Sequence, residues 1–456
     1  MNVNTHRRSV ERGETDVRLI FTVIGIALSL IGLLVKILGR NIDLASIVTF
    51  MGGVFHIVFH NIGFWIVIII AAVYGLIRKL TKPAEFMWRE LPIQIGASSV
   101  VILFLYTIFF STATNIADTE IWNGYVTRSE YYEAWTEEVT TTSTDKDGNT
   151  TTSTSYVYHA PEWNVCTTAG NFSSSRDVYA AYHARFGNQT KKNILRLNQS
   201  SSGDGDMYYV ECDRNQATLM PASRPHLYVN YLKASDSIRK LRGNIDAHRD
   251  NLREYPSVYA DGYGEIEVDR VIEAGLTLPV AWKQALDARL DKELRSLGER
   301  KQVNILVYVT SSPDRGFAEA LKEYWIQGKK NDVIVILGMP AFPEVRWVEV
   351  IAWTKVEEFK IALRDQITGM KQLPDGGVLA ATITGQVSKP PGAGGFERTP
   401  TADMEYLAAD ISLPWWCQVL IVLMGGAASW FTSHLLIHND WRTWRPSHMY
   451  GRSRYV

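Results

Sequence analysis

The sequence predicts a membrane-anchored α+β protein with four transmembrane helices, a β-rich ectodomain half and a layered α/β half. Three observations carry this expectation. Apolar residues make up 46% of the 456-residue chain, yet they concentrate in nearly charge-free stretches close to its two ends. Each stretch is about 20 residues long, enough helix to cross about 30 Å of hydrocarbon. The polar remainder changes midway from Thr/Tyr/Val-rich segments to alternating helix and strand patterns. The apolar ends exclude a cytosolic enzyme and a disordered chain. The balance of 47 Lys+Arg against 48 Asp+Glu lacks the basic excess of a nucleic-acid binder, so no nucleic-acid partner is expected.

Residues 1–18 form a basic N-terminus, and 19–113 hold three of the spans. The first, 19–38, is too long for a cleavable signal peptide, carries Lys36 within a turn of its end and is followed by Arg40. Residues 44–77 contain no Asp, Glu, Lys or Arg, which is more than one span needs and barely enough for two. The part near 44–60, with Gly52, Gly53, His56 and His60, reads as a re-entrant or interfacial helix. His56 and His60 share a helical face, and are either a proton or metal pair or solvated interfacial histidines. The second span is then 62–77, and the third is 91–112, with Pro92 in its first turn. The fourth, 413–437, opens on the aromatic anchors Trp415 and Trp416 and leads into a basic tail, 438–456. Arg7, Arg8, Arg12 and Arg18, then Arg78, Lys79, Lys82 and Arg89, then Arg442, Arg445, Arg452 and Arg454 all fall on one side if there are four spans. Both termini are therefore expected in the cytoplasm and the large domain outside.

Residues 118–235 read as β-rich. Segments 130–144 and 150–159 are strand-like and flank the turn Asp145, Lys146, Asp147, Gly148, Asn149. The turn opens like a calcium loop, but its twelfth position is Tyr156, where glutamate is required. Cys166 and Cys212 are expected to form a disulfide if this half is extracytoplasmic; the alternative is two buried free thiols.

Residues 255–388 alternate helix and strand. Pro279 opens a helix over 279–297 whose apolar face is Trp282, Leu286, Leu290, Leu294 and Leu297. Strand 303–309, helix 317–326, strand 333–337, strand 345–353 and a helix over 359–370 follow, and 378–384 is expected to close the set as a strand. Residues 389–412 read as a linker. Ser311, Ser312 and Asp314 follow a strand end, where open α/β sheets bind ligands; a helix N-cap explains them equally. Trp347 and Trp353 are either core or an exposed docking strip. No phosphate-loop, zincin or nucleophile-elbow motif occurs.

The run from Ala320 through Trp325, Gly328, Lys329, Lys330, Asn331 and Asp332 into strand 333–337 resembles the TPM domain family, over about residues 255–388. The resemblance implies a membrane-tethered, extracytoplasmic α/β domain. Some members are acid phosphatases or bind calcium, and others are accessory or assembly factors. Asn331 and Asp332 thereby join Ser311, Ser312 and Asp314 as ligand-pocket candidates, and Asp261 loosely matches the family's acidic metal position. The chain departs from the enzymatic pattern at Asp332, where glycine is usual, and at Gly338, Met339 and Pro340, where no acid ends the strand. The overall layout is similar to uncharacterised tailed-phage membrane proteins, implying a bacterial inner membrane and a periplasmic ectodomain. The expected function is binding or assembly, with the bilayer and another membrane or periplasmic protein as partners. The alternative is a metal-dependent phosphate-ester hydrolase, with a divalent metal as its cofactor.

Overall fold

The computed structural model describes residues 44–83, 90–144, 149–196, 198–200, 205–212, 219–235 and 244–438. The expected first span, the basic tail beyond 438 and residues 145–148 of the hairpin turn lie outside them.

Helix α1 is Leu44–His60, α2 is Ile62–Thr81 and α3 is Glu90–Ala113. Asn61 separates the first two, its side chain accepting from the Gly63 amide at 2.9 Å. The last helix, α9, is Trp415–His438. Among the described residues, α2, α3 and α9 are long and apolar enough to cross a membrane. They pack side by side, and Ser98 Oγ of α3 donates to the Gly425 carbonyl of α9 at 3.2 Å. Small residues on both helices permit that close approach. Helix α1 stays at the domain end of this bundle. Phe50, Val54, Ile57 and Val58 are buried with Ile102, Tyr106 and Phe110 of α3, with Leu227 and Val229 of the domain, and with Met404, Leu407 and Ile411. One apolar core thus joins the bundle to the base of the domain.

The β-rich half is a six-stranded sheet. Strand β1, Ala117–Tyr132, continues almost directly from α3. Strands β2 (Trp135–Thr144) and β3 (Thr150–His159) form a hairpin that pairs with no other named strand, and Glu137 of β2 bridges to Gln199. Then come β4 (Glu162–Thr167), β5 (Phe172–Ser173), helix α4 (Arg176–Phe186), β6 (Gln189–Lys192), β7 (Met207–Glu211) and β8 (Pro221–Val229). The first nine residues of β1, Ala117 to Tyr125, pair with β8. A register shift between Val126 and Arg128 lets the remainder pair with β4 on one side and β7 on the other.

That order corrects the expected disulfide: Cys166 and Cys212 are free and buried. Cys166 lies opposite Arg128 on β4, while Cys212 follows β7 and donates its amide to the Thr127 carbonyl. Strand β1 stands between them, so they are two strand spacings apart, about 10 Å. A disulfide needs Cα atoms within about 7 Å. The thiols also face opposite sides of the sheet, because Cys212 shares a core with Val165, the neighbour of Cys166.

A small hairpin, β9 (Tyr259–Asp261) with β10 (Gly264–Glu267), leads into the α/β half. There β11 (Val271–Ala274), α5 (Val280–Lys301), β12 (Asn304–Thr310), α6 (Gly316–Tyr324), β13 (Asp332–Gly338), β14 (Trp347–Ala352), α7 (Glu357–Thr368) and α8 (Gly376–Ser388) follow in turn. The sheet order is β11-β12-β13-β14, parallel except for β14. Strands β12 and β13 are buried throughout, as strands covered on both faces must be. Helices α5, α7 and α8 cover one face and α6 the other. Both crossovers step the same way across the sheet while α5 and α6 lie on opposite faces. They therefore have opposite hands, where right-handed connections are the rule.

Two expectations are corrected here. Residues 378–384 are helix, within α8, and not a closing strand. The buried set Leu379, Ala380, Ile383 and Val387 has a helical period, and Asp375 caps the helix by accepting from the Gly377 amide. The expected linker is packed: Phe396 is fully buried against Phe359, and the 3-10 segment Thr401–Asp410 joins the core at the domain base.

Candidate functional site

The sheet topology separates the pocket candidates. Ser311, Ser312 and Asp314 follow the C-terminal end of β12, whereas Asn331 and Asp332 stand at the N-terminal end of its parallel neighbour β13. Seven residues of strand put the two sets about 20 Å apart.

At the C-terminal end the polar groups serve the loop. Ser312 is buried, donates its amide to the Thr310 hydroxyl oxygen Oγ1, and accepts the indole N–H of Trp347 on its carbonyl at 3.1 Å. Asp314 accepts from the Gly316 amide at 2.8 Å and lies 3.7 Å from His248 Nε2. This is a local turn ahead of α6, whose N-cap is Arg315 with no side-chain cap bond, and not the expected cap on Ser312 or Asp314. Trp347 is buried among Phe317 and Ile351, and Trp353 Nε1 donates to the Gln327 carbonyl, so the alternating tryptophans are packing residues.

The N-terminal end meets the β-rich half in a buried polar seam. Asp332 accepts from Tyr255 Oη at 2.9 Å, Asn304 Nδ2 at 2.9 Å and the Lys329 amide at 2.7 Å. Burial pushes its carboxyl up to about 6 despite these donors. Asn331 Nδ2 donates to the Ile121 carbonyl of β1 at 2.7 Å. Arg270, 1% exposed, donates to Asp291 at 2.5 Å, Asn304 at 2.7 Å, Asn123 at 2.7 Å and Ser223 at 2.8 Å. Lys329 pairs with Asp118, and Arg398 with Glu120. The backbones approach closely as well: a Cβ on Gly298 of α5 would lie 2.2 Å from the Asn123 carbonyl oxygen. Asn331 thus ties β13 to β1 of the other half, while Asp332 is held by partners within the α/β half. Arg270, Asn123, Ser223 and Lys329 were not legible as partners, because their contacts join residues from 47 to 211 positions apart in the chain.

Asp261 lies elsewhere. With Arg185, Met220, Tyr263, Glu267 and Asp291 it lines a cleft of about 220 Å³ where β8, β10 and α5 meet. Its Oδ1 accepts from the Tyr263 amide at 2.7 Å, and burial raises its pKa. Beside the cleft, burial and the charge of Asp291 push Asp287 up to about 6. The Arg185 guanidinium sits 5.1 Å from the Tyr263 ring centre. The lining carries the carboxylates of Asp261, Glu267 and Asp291 with the Arg185 guanidinium, and Asp291 is already paired with the buried Arg270. Among the described residues, no three His, Cys, Asp or Glu side chains are grouped to hold a metal ion. His56 and His60 stack with ring centres 4.0 Å apart, and His56 Nε2 lies 3.4 Å from Glu405. That contact joins α1 to the segment at the domain base.

Comparison of the chain with family models, with curated proteins and with solved structures finds no match in any of the three.

Proposed function

We propose that this chain is a membrane-anchored, extracytoplasmic binding or assembly protein of a bacterial inner membrane. The observation that carries the reading is the single apolar core joining α1, α3 and α9 to β8 and the 3-10 segment Thr401–Asp410. Such a core fixes the domain's height and orientation over a bilayer, which serves a partner held in the same membrane. Helix α1 leaves Leu44, Val48 and Phe59 exposed while its other face packs on the domain, as an interfacial helix would. Arg78 and Lys79 fall in the last turn of α2, away from the domain, in keeping with a cytoplasmic end there. The resemblance to the TPM family, with its accessory and assembly factors, belongs to the same proposal. The acidic cleft at Asp261 and Glu267 is the surface offered to a partner's basic group.

The test uses the full chain in its membrane. It should resist alkaline extraction, and a photo-crosslinking residue at Glu267 should give one discrete adduct that Asp261→Lys suppresses. Reconstituted protein should leave a generic phosphomonoester intact with or without divalent metal. Metal-dependent turnover that disappears in Asp261→Asn would replace the binding reading with the hydrolase.

A further inference from the structure

The hairpin β2–β3 is the part of the domain that the rest of the fold does not use. Its register runs without a shift from Trp135↔His159 to Thr144↔Thr150. Among the described residues, the contacts that tie it to the rest of the domain gather at its base. Trp135 stacks on His159 with ring centres 4.1 Å apart, the Arg196 guanidinium sits 4.6 Å from the Trp135 ring, and the outer edge of β2 bonds to Asn198 and Ser200 near Thr136 and Glu138. Every residue of β3 from Thr150 to Tyr158 is exposed, including Tyr156 at 64% and Tyr158 at 68%. The outer edge of β3 pairs with no described strand.

Exposed edges are normally blunted by lysine, proline, a bulge or a covering loop. Over Thr150–Tyr158 there is no charge, no proline, no glycine and no bulge. A two-stranded ribbon is also marginal by itself and gains from a third strand. The chemistry of the edge indicates which strand. Along its inner edge β3 already takes a Thr-rich strand, in the pairs Thr140↔Thr154, Thr142↔Thr152 and Thr144↔Thr150. An identical β3 offers the same hydroxyl and methyl contacts to the outer edge. Because the stretch is uncharged, two identical strands oppose no like charges, whereas a charged foreign strand finds no counter-charge.

We infer that β3 is a self-association edge, pairing antiparallel with β3 of a second copy of this chain to make a four-stranded sheet across a two-fold axis. Pairing in the plane of one bilayer rests on the anchoring proposed above, since anchored copies share orientation and height.

The experiment uses the full chain in nanodiscs and micelles. Thr152→Cys, Thr154→Cys and Tyr156→Cys are introduced singly. The native cysteines are buried, so mild oxidation should link copies only through the new thiols. The expected result is a disulfide-linked dimer, strongest at one position and weaker at its neighbours. The double variant Thr152→Lys with Thr154→Lys should raise the dimer dissociation constant at least tenfold. Its thermal midpoint should stay unchanged, because both positions are exposed. No linked dimer at any of the three positions overturns the inference, as does a dissociation constant the lysines leave unchanged, or cross-linking only to a different protein. Flotation of the same samples with lipid reads the anchoring separately, so failure of one reading is distinguishable from failure of the other.

Discussion

Replacing Asp332 with alanine should destabilise the domain more in acid than at neutral pH. The carboxyl takes three hydrogen bonds, from Tyr255, Asn304 and the Lys329 amide, and its residue is 1% exposed. Truncation leaves those buried donors unmatched, at about 1–3 kcal/mol each. It also removes a carboxylate whose pKa burial has raised from an ordinary 3.8 to about 6. That displacement corresponds to about 3 kcal/mol of unfavourable ionisation in the folded state. The folded value lies above the unfolded one, so folding takes up a proton between about pH 4 and 6. The associated stability is fully present below that window and is lost as pH rises through about 6. About 2 kcal/mol of it falls between about pH 7.5 and pH 4.5. The cost of Asp332→Ala should therefore be about 2 kcal/mol larger at about pH 4.5, the wild type alone gaining from acidification. Urea unfolding of both proteins in micelles, followed by tryptophan fluorescence at the two pH values, measures the difference. An equal cost at both, or a larger one at neutral pH, would refute the burial argument and show that the three donors dominate.

Arg270→Met should cost about 3–5 kcal/mol, because Asp291, Asn123, Asn304 and Ser223 lose one shared donor; thermal melts measure it. Leu290→Ala, a fully buried position on the core face of α5, should cost about 2–5 kcal/mol by the same assay. Gly338→Ala should cost about 1–3 kcal/mol or more, since its Cβ would lie 2.0 Å from the Trp347 ring. Reducing agent should leave the melting midpoint unchanged, and Cys166 and Cys212 should react with a maleimide only on unfolding.

The sequence by itself determined what depends on neighbours along the chain. Charge-free runs marked α2, α3 and α9 because hydrophobic length is a local property. The spacing of Trp282, Leu286, Leu290, Leu294 and Leu297 marked α5, and the β-branched run ending at Leu337 marked β13. Short apolar runs defeat that reasoning: 378–384 carries residues suited to a strand, and packing on α5 with a cap at Asp375 makes it helical. Tertiary structure alone decided which polar residues meet. Parallel pairing of β12 with β13 sent Asp314 and Asp332 to opposite ends of the sheet, and the intervening β1 kept Cys166 from Cys212. It likewise turned Arg270 inward onto partners from both halves of the domain. The physical reason is range: periodicity and capping act within a few residues, whereas a buried charge is matched by whatever distant strand the fold brings beside it.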